Sequence, residues 1–444
     1  MTEPSGPRTS WLRLHVAVVV VAVAAAAIAI AFRLTLAGFV HALGGSDTIT
    51  MIAHLPLWAR VALPAAGGVG TGLIGLAMAR RRGASGVGYV MEAIVLGTAR
   101  VPLMRSAAQF VASWIAIASG MSLGREGPLI QMGAASGEAA RRVMQLDDAA
   151  ARLVLAAGVA AGFAAAYNAP IAAVLFVVEI VTGVLVLEAM VPVLIASVLA
   201  TIVLRCFSGA APLYGVRTFT TLGPGELVAF AGLGLAVAPI GVGFLRLLGL
   251  AERGWRKLPL PVRPALGGAA CGAILCALPI VAGNGFEPLA ALLDGKLGIA
   301  LVAWLLLAKP IATALSVGSS NPGGAFTPTL LIGALAGTLA AAGLHELGAE
   351  ISSSGSYALV GLAAALAATT HAPLTATVLA CELSGDWALV LPLLVACALA
   401  AGIARRLYID SVYTAELTRR GLRWRLTLDG RRVIENQQSV VDVV

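Results

Sequence analysis

The chain is poor in charge. Only 12 % of its 444 residues are Asp, Glu, Lys or Arg, against about 25 % in a soluble domain, so an extensive water-facing surface is excluded. Cysteine occurs five times, as Cys206, Cys271, Cys276, Cys381 and Cys397, always in apolar surroundings and never as CxxC. That pattern offers no disulfide framework and predicts buried thiols. The histidines (His15, His41, His54, His345 and His371) are scattered, which argues against a multi-histidine metal site, and no cofactor is called for. Aromatic residues are 5 %. The apolar stretches are continuous and do not alternate, which disfavours a β-barrel.

Apolar residues fill the space left: 59 % of the chain is hydrophobic and its mean hydropathy is +0.93. No compact soluble core hides that much apolar surface, so lipid is the solvent for most of the chain. Fifty-one glycines in an alanine-rich background suit closely packed membrane helices. Apolar segments fall near 14–33, 61–79, 107–123, 151–178, 189–204, 227–250, 264–282, 297–317, 326–344, 357–383 and 386–404. Several are broken by Gly or Pro or are shorter than the roughly 20 residues of a straight span. Interrupted backbone at membrane depth is tolerated where it is buried in protein or lines a cavity. The fold class expected is an all-α polytopic membrane protein.

The net charge of +8 arises from 30 Lys+Arg against 22 Asp+Glu. The basic residues cluster between apolar runs, at Arg80–Arg82, Arg141–Arg142, Arg253/Arg256/Lys257 and Arg405–Arg406, with a last group from Arg419 to Arg432. This is a positive-inside pattern with contact to lipid headgroups rather than a nucleic-acid surface. It leads to the expectation that the C-terminal group is cytoplasmic; the membrane expected is the cell (inner or plasma) membrane. Residues 16–32 resemble the apolar core of a signal peptide, but the run is too long and ends at Arg33, so a first membrane helix is expected. The expected layout is a short cytoplasmic segment (1–13), a membrane domain (14–408) and a helix start with a basic cytoplasmic tail (409–444).

The chain also repeats itself. Residues 158–182 match 361–385 at an offset of 203, with Gly158/Gly361, Pro170/Pro373 and Glu179/Glu382 identical. Upstream, 124–137 matches 324–337 at an offset of 200, through Gly124/Gly324, Pro128/Pro328, Gly133/Gly333, Ala134/Ala334 and Gly137/Gly337. Two blocks in the same order imply duplicated halves, about 60–205 and 227–408. The identities do not fix whether the halves are inverted. Duplicated halves are a transporter signature, with the site where paired broken segments meet near the midplane.

Each upstream block opens with a Gly-rich turn, carries Pro within a few residues and runs into an apolar stretch: Gly124-Arg125-Glu126-Gly127-Pro128 and Gly323-Gly324-Ala325-Phe326-Thr327-Pro328. Pro is favoured in the first helical turn, so these are helix N-termini within the membrane. Their free N–H groups and positive dipole ends make anion sites without formal charge. A third turn, Gly83-Ala84-Ser85-Gly86-Val87-Gly88, can add a hydroxyl and further amides. Glu126 is ionisable at membrane depth, which by default marks an ion or proton pathway. Its carboxylate can itself occupy an anion site and leave on protonation. The competing role is a structural ion pair with Arg125. Glu179 and Glu382 match across the repeat and point to structure rather than transport.

Together these turns resemble the CLC family of chloride channels and chloride/proton exchangers. GREGP at 124–128 is identical to that family's most distinctive motif, GGAFTP at 323–328 is similar to its GxFxP motif, and ASGVG at 84–88 to its GSGIP motif. The NAP…E stretch at 168–179, the AP…E stretch at 372–382 and Ser411-Val412-Tyr413-Thr414 follow in family order. The resemblance implies an inverted-repeat bundle of tilted and broken helices, forming homodimers with one pore per subunit. It implies a central anion held by the hydroxyls of Ser85 and Tyr413 and the amides of Ala325 and Phe326. It further implies an outer site of amides around Arg125, Glu126 and Gly127, with Glu126 as gate and proton carrier.

Three departures stand out. Gly88 replaces the motif's proline, Gln109 stands where many relatives carry lysine, and Ile180 stands where many exchangers have a second glutamate that takes protons from the cytoplasm. The main reading is a chloride/proton antiporter, because Glu126 is intact and relatives without appended cytoplasmic domains are mostly exchangers. The alternative is a passive chloride channel, since isoleucine carries no proton. A remote enzyme reading also exists: Gly83-Ala84-Ser85-Gly86 matches the GxSG motif of rhomboid intramembrane proteases, with His371 as candidate base. It leaves GREGP and the duplication unexplained.

Overall fold

The computed structural model describes residues 9–79, 86–96, 100–183, 187–219, 223–419, 422–427 and 430–435. Nearly all of that is helix. The first half holds α1 (Trp11–Ala42), α2 (Thr48–His54), α3 (Leu57–Ala79), α4 (Val87–Leu96), α5 (Leu103–Ala118), α6 (Glu126–Met144), α7 (Asp148–Tyr167), α8 (Pro170–Phe176) and α9 (Leu187–Ser208). The second holds α10 (Pro224–Trp255), α11 (Arg263–Ala277), α12 (Phe286–Leu293), α13 (Ile299–Gly318), α14 (Phe326–Glu346), α15 (Ser354–Thr370), α16 (Pro373–Ser384) and α17 (Val390–Leu407). A short α18 (Thr414–Arg419) follows Tyr413. Among the described residues, eight helices are long and apolar enough to cross a membrane. The first, α1, runs on through Arg33, where the apolar run had suggested an end.

The apolar segments 151–178 and 357–383 are each two helices. Asn168 and His371 end α7 and α15 in left-handed backbone (φ 55° and 59°), and Pro170 and Pro373 then start α8 and α16. Proline cannot continue the preceding helix but suits the first turn of the next. After α8 the backbone widens into a π-helical turn, Val177–Thr182.

The two halves pack through equivalent contacts. On α6, a side chain at Gly133 would strike the Gly158 carbonyl of α7, and one at Gly137 the Val154 carbonyl; on α14, Gly333 and Gly337 stand the same way against Gly361 and Tyr357 of α15. These glycines let backbones meet where no side chain fits. In α7 every residue from Val154 to Tyr167 is buried, and in α15 every one from Gly355 to Thr370. They are the cores of their halves, as helices apolar all round must be.

A further matched block lies upstream, at Pro64/Pro264, Gly68/Gly268 and Gly72/Gly272. Here the halves touch reciprocally: Gly68 of α3 abuts the Pro264 carbonyl of α11, and Gly268 abuts that of Pro64. The same reciprocity joins the later helices. The Glu382 carboxylate accepts from the Ile171 and Ala172 amides opening α8 (3.0 and 2.8 Å). The Glu179 carboxylate accepts from the Leu374 and Thr375 amides opening α16 (3.1 and 2.7 Å). Contacts of i with j′ matched by j with i′ define a two-fold relation, here within one chain. Both glutamates satisfy otherwise orphaned N–H groups and the helix dipole of the opposite half.

Two expectations need correction. The thiols are not uniformly buried: Cys271, Cys381 and Cys397 are, but Cys206 is exposed and Cys276 partly so, because Cys206 lies on the outward face of the last turn of α9. The C-terminal segment is not only a helix start and tail. Strands β1 (Leu422–Thr427) and β2 (Gly430–Glu435) pair antiparallel, with Leu422 opposite Glu435 and Thr427 opposite Gly430.

The packing makes a matched prediction on one helix. Gly337→Ala pushes a methyl into the Tyr357 carbonyl, whereas a side chain at Gly343 meets nothing within 4 Å. The first should destabilise by about 1–3 kcal/mol; Gly343→Ala should be neutral or stabilise by up to about 1 kcal/mol. Unfolding midpoints in detergent, followed by tryptophan fluorescence, separate the two; equal midpoints would refute the close α14–α15 approach.

Candidate anion site

The N-termini of α6 and α14 meet across the two halves. Gly124 and Gly324 exchange two backbone hydrogen bonds, Gly124 N–H to Gly324 O at 2.7 Å and Gly324 N–H to Gly124 O at 2.8 Å, forming an isolated antiparallel bridge between the halves. A side chain at either glycine would fall on the Glu126 carboxylate, so the absence of one creates the space this group fills. Pro128 and Pro328 sit buried in the first turns of their helices, where the missing N–H removes no helical bond.

Glu126 is 1 % exposed. Its Oε1 accepts from the Phe326 amide at 3.0 Å, and its Oε2 from the Thr327 hydroxyl at 2.9 Å. The first residue of one half's helix thus caps the helix of the other half. No ion pair joins Glu126 to Arg125 among the described residues. The Arg125 guanidinium instead stands 5.1 Å from the centre of the Phe286 ring, a cation–π arrangement.

A cavity of about 760 Å³ reaches this carboxylate, and Gly86, Gln109, Gly127, Ala325, Phe326 and Tyr413 share its wall. Ala325 is the N-cap of α14 and offers no side-chain cap. The Tyr413 hydroxyl is buried without a hydrogen-bond partner among the described residues, and its ring meets Phe176 edge-on at 5.7 Å. Gly86 adopts φ +114°, a backbone state that favours glycine, and its amide donates to Gln131 Oε1 at 2.9 Å. Ser85 lies outside the described residues. Gly88, standing in place of the motif's proline, packs against Glu416 and Leu417 of α18. His371, the histidine of the protease reading, is the left-handed end residue of α15, matched in the other half by Asn168.

Three participants escaped the sequence. Thr327 and Tyr167 extend the network at Glu126, with Tyr167 Oη 2.8 Å from Thr327 Oγ1. Gln131 pins the turn at Gly86 while its amide nitrogen donates to Ser106. Thr327 sits inside a motif that drew attention to its glycines and proline; nothing in the spacing marked Tyr167 or Gln131.

Duplicated halves whose helix N-termini converge on one buried carboxylate, reached by a cavity, define a membrane transport protein of the broken-helix class. The family model for voltage gated chloride channels matches residues 67–405, and the chain belongs to that family, the CLC family. It is 38 % identical over 402 residues to a Ralstonia nicotianae protein described as "Putative chloride channel protein ClcB-like", covering 87 % of this chain and 92 % of that one. It is 33 % identical over 398 residues to the Escherichia coli "Voltage-gated ClC-type chloride channel ClcB", covering 85 % and 94 %. Among solved structures, a slow cyanobacterial Cl−/H+ antiporter superposes with a TM-score of 0.82 at 25 % identity, over 93 % of this chain and 99 % of that one. A CLC-type fluoride/proton antiporter gives 0.75 at 21 % identity, over 91 % and 98 %, a likeness of fold.

The cap on α14 is testable without transport. In buffer free of chloride and other halides, Glu126→Ala leaves the Phe326 N–H with no acceptor from the carboxylate, so its exchange with deuterated solvent should rise at least about tenfold, the equivalent of about 1.4 kcal/mol. Mass spectrometry of a peptide spanning the α14 start measures it; unchanged exchange would detach Glu126 from that helix end.

Proposed function

We propose that this protein carries chloride across the membrane in exchange for protons, with Glu126 as both gate and proton carrier. The observation that carries the reading is a carboxylate docked on the Phe326 amide at a helix N-terminus (3.0 Å). That is an anion position filled by the protein's own anion, at the end of a cavity through which small ions and water can approach. Protonation removes the charge that the amide and dipole favour; the side chain then leaves, and chloride takes its place. One group thereby couples the two fluxes. The likeness to a Cl−/H+ antiporter supports this reading.

In it, the Ser85 and Tyr413 hydroxyls and the Ala325 and Phe326 amides hold a central chloride, and amides around Arg125, Glu126 and Gly127 form the outer position. No bond of the anion is made or broken, so the protein is a transporter and not an enzyme. The working unit is a homodimer in the inner or plasma membrane. Arg253 and Arg256 line the cavity together with Tyr408 and Asp410, and this supports a cytoplasmic mouth and C-terminus by the positive-inside bias.

A passive channel is the second reading, favoured by Ile180. It is 1 % exposed in the π-helical turn after α8 and offers no proton acceptor. The descriptions of the Escherichia coli and Ralstonia relatives as channels point the same way. The antiporter reading needs protons to reach Glu126 through the cavity's water.

The deciding experiment is chloride efflux from proteoliposomes with external pH recorded in the same vessel and the voltage clamped by potassium and valinomycin. An outward chloride gradient should drive proton uptake, and Glu126→Ala should keep chloride flux while abolishing proton movement. Efflux without proton movement in the unaltered protein would establish the channel; proton coupling that survives Glu126→Ala would remove this residue from the mechanism. Tyr413→Ala combined with Ser85→Ala should weaken chloride binding by about tenfold in calorimetry, and unchanged affinity would refute the central site.

A further inference from the structure

Thr327 is 1 % exposed, in the first turn of α14, and its side chain behaves unlike its neighbours. Thr329 and Thr338 on the same helix turn their hydroxyls back onto the carbonyls of Ala325 and Ala334, at 2.8 and 3.0 Å, the usual local bond for a helical threonine. Thr327 points its hydroxyl at Glu126 Oε2 instead, at 2.9 Å. A hydroxyl has one proton. When the carboxylate is ionised it only accepts, so that proton belongs to Glu126, and the 2.8 Å contact with Tyr167 must be donated by the tyrosine. Tyr167 is itself held at the end of α7 by its ring, whose centre lies 4.9 Å from that of Phe163 and 5.4 Å from that of Phe326. A fixed phenol therefore occupies one of the two lone pairs of the Thr327 hydroxyl and holds it in the rotation that directs its proton at the position of the Glu126 carboxylate.

We propose that the Thr327 hydroxyl, aimed by Tyr167, is a side-chain ligand of the outer anion position. It binds the Glu126 carboxylate when the gate is docked and the transported halide when the carboxylate has left. This rests on the reading of that position as an anion site and adds to it a donor that is neither a backbone amide nor part of the central site. With Tyr167 still donating, the threonine proton stays directed at the vacated space, where a halide replaces the carboxylate oxygen as acceptor. A hydrogen bond to an ionised acceptor is among the stronger ones, so the hydroxyl contributes to affinity for both anions and makes them compete for one proton.

The test is calorimetric titration of chloride into the full chain in detergent, in a Glu126→Ala background that empties the position of its own carboxylate. Adding Thr327→Val, which keeps the shape and removes the donor, should weaken chloride binding about tenfold; Thr327→Ser should restore it to within about twofold. Tyr167→Phe, which deletes one oxygen and keeps the ring packing, should weaken it about threefold by releasing the aim, and it serves where the valine variant fails to fold. Chloride affinity that is the same with valine, or with phenylalanine, as in the background overturns the proposal while leaving the anion site standing. Absence of chloride binding in Glu126→Ala alone overturns the anion-site reading itself.

Discussion

Glu126 has lost nearly all contact with water, and a carboxylate in that position must find replacement hydrogen bonds in the protein, since leaving an ion unsatisfied at membrane depth costs several kcal/mol. Here the replacements are an amide at a helix start and one hydroxyl. The surrounding architecture is arranged to bring them there. Glycines at 124 and 324 clear room beside the carboxylate, and the reciprocal bonds between those glycines set the spacing of the two helix starts. Break any of these and the carboxylate has nowhere to dock.

Duplication explains how a single chain places two helix starts face to face. One half supplies a helix with a free N-terminus; its two-fold mate supplies another pointing back. The same relation recurs further out, where Glu179 and Glu382 cap α16 and α8 across the halves, and at the α3–α11 contact. Each of these glutamates takes two backbone N–H groups of the opposite half's helix start. At the centre the cap is the first residue of its own helix, and a cavity opens on it. Equivalent chemistry thus joins the halves at Glu179 and Glu382 and, at Glu126, faces a cavity.

Much of this was legible in the residues. Continuous apolar runs, paired Gly/Pro turns and two offset-matched blocks pointed to duplicated membrane halves and to helix starts at 126 and 326, since glycine and proline act on the backbone and leave the same mark wherever they stand. The third block, at Pro64 and Pro264, is short and its identities are all Pro, Gly or Ala, residue types so common in this chain that they carry little weight alone. Breaks at Asn168 and His371 were hidden inside apolar runs, for left-handed end residues there are neither Gly nor strongly polar clusters. Thr327, Tyr167 and Gln131 were invisible for a different reason: a hydrogen bond between residues 160 positions apart depends on the packing of helices, which local spacing does not encode.

The choice of donors also bears on how fast an anion can leave. Arg125, next in sequence to Glu126, stands over the Phe286 ring and makes no direct ion pair with the carboxylate. What remains at the carboxylate is an amide, a hydroxyl and the end of a helix dipole, the last contributing on the order of 0.3–2 kcal/mol. Binding of that strength is enough to admit an ion and weak enough to release it, which conduction requires. It is also weak enough for an internal carboxylate and an external halide to be near-equal competitors. Keeping the neighbouring arginine out of a direct ion pair is therefore part of the site: a guanidinium bonded to the carboxylate would strengthen the docked state and slow its exchange for a halide.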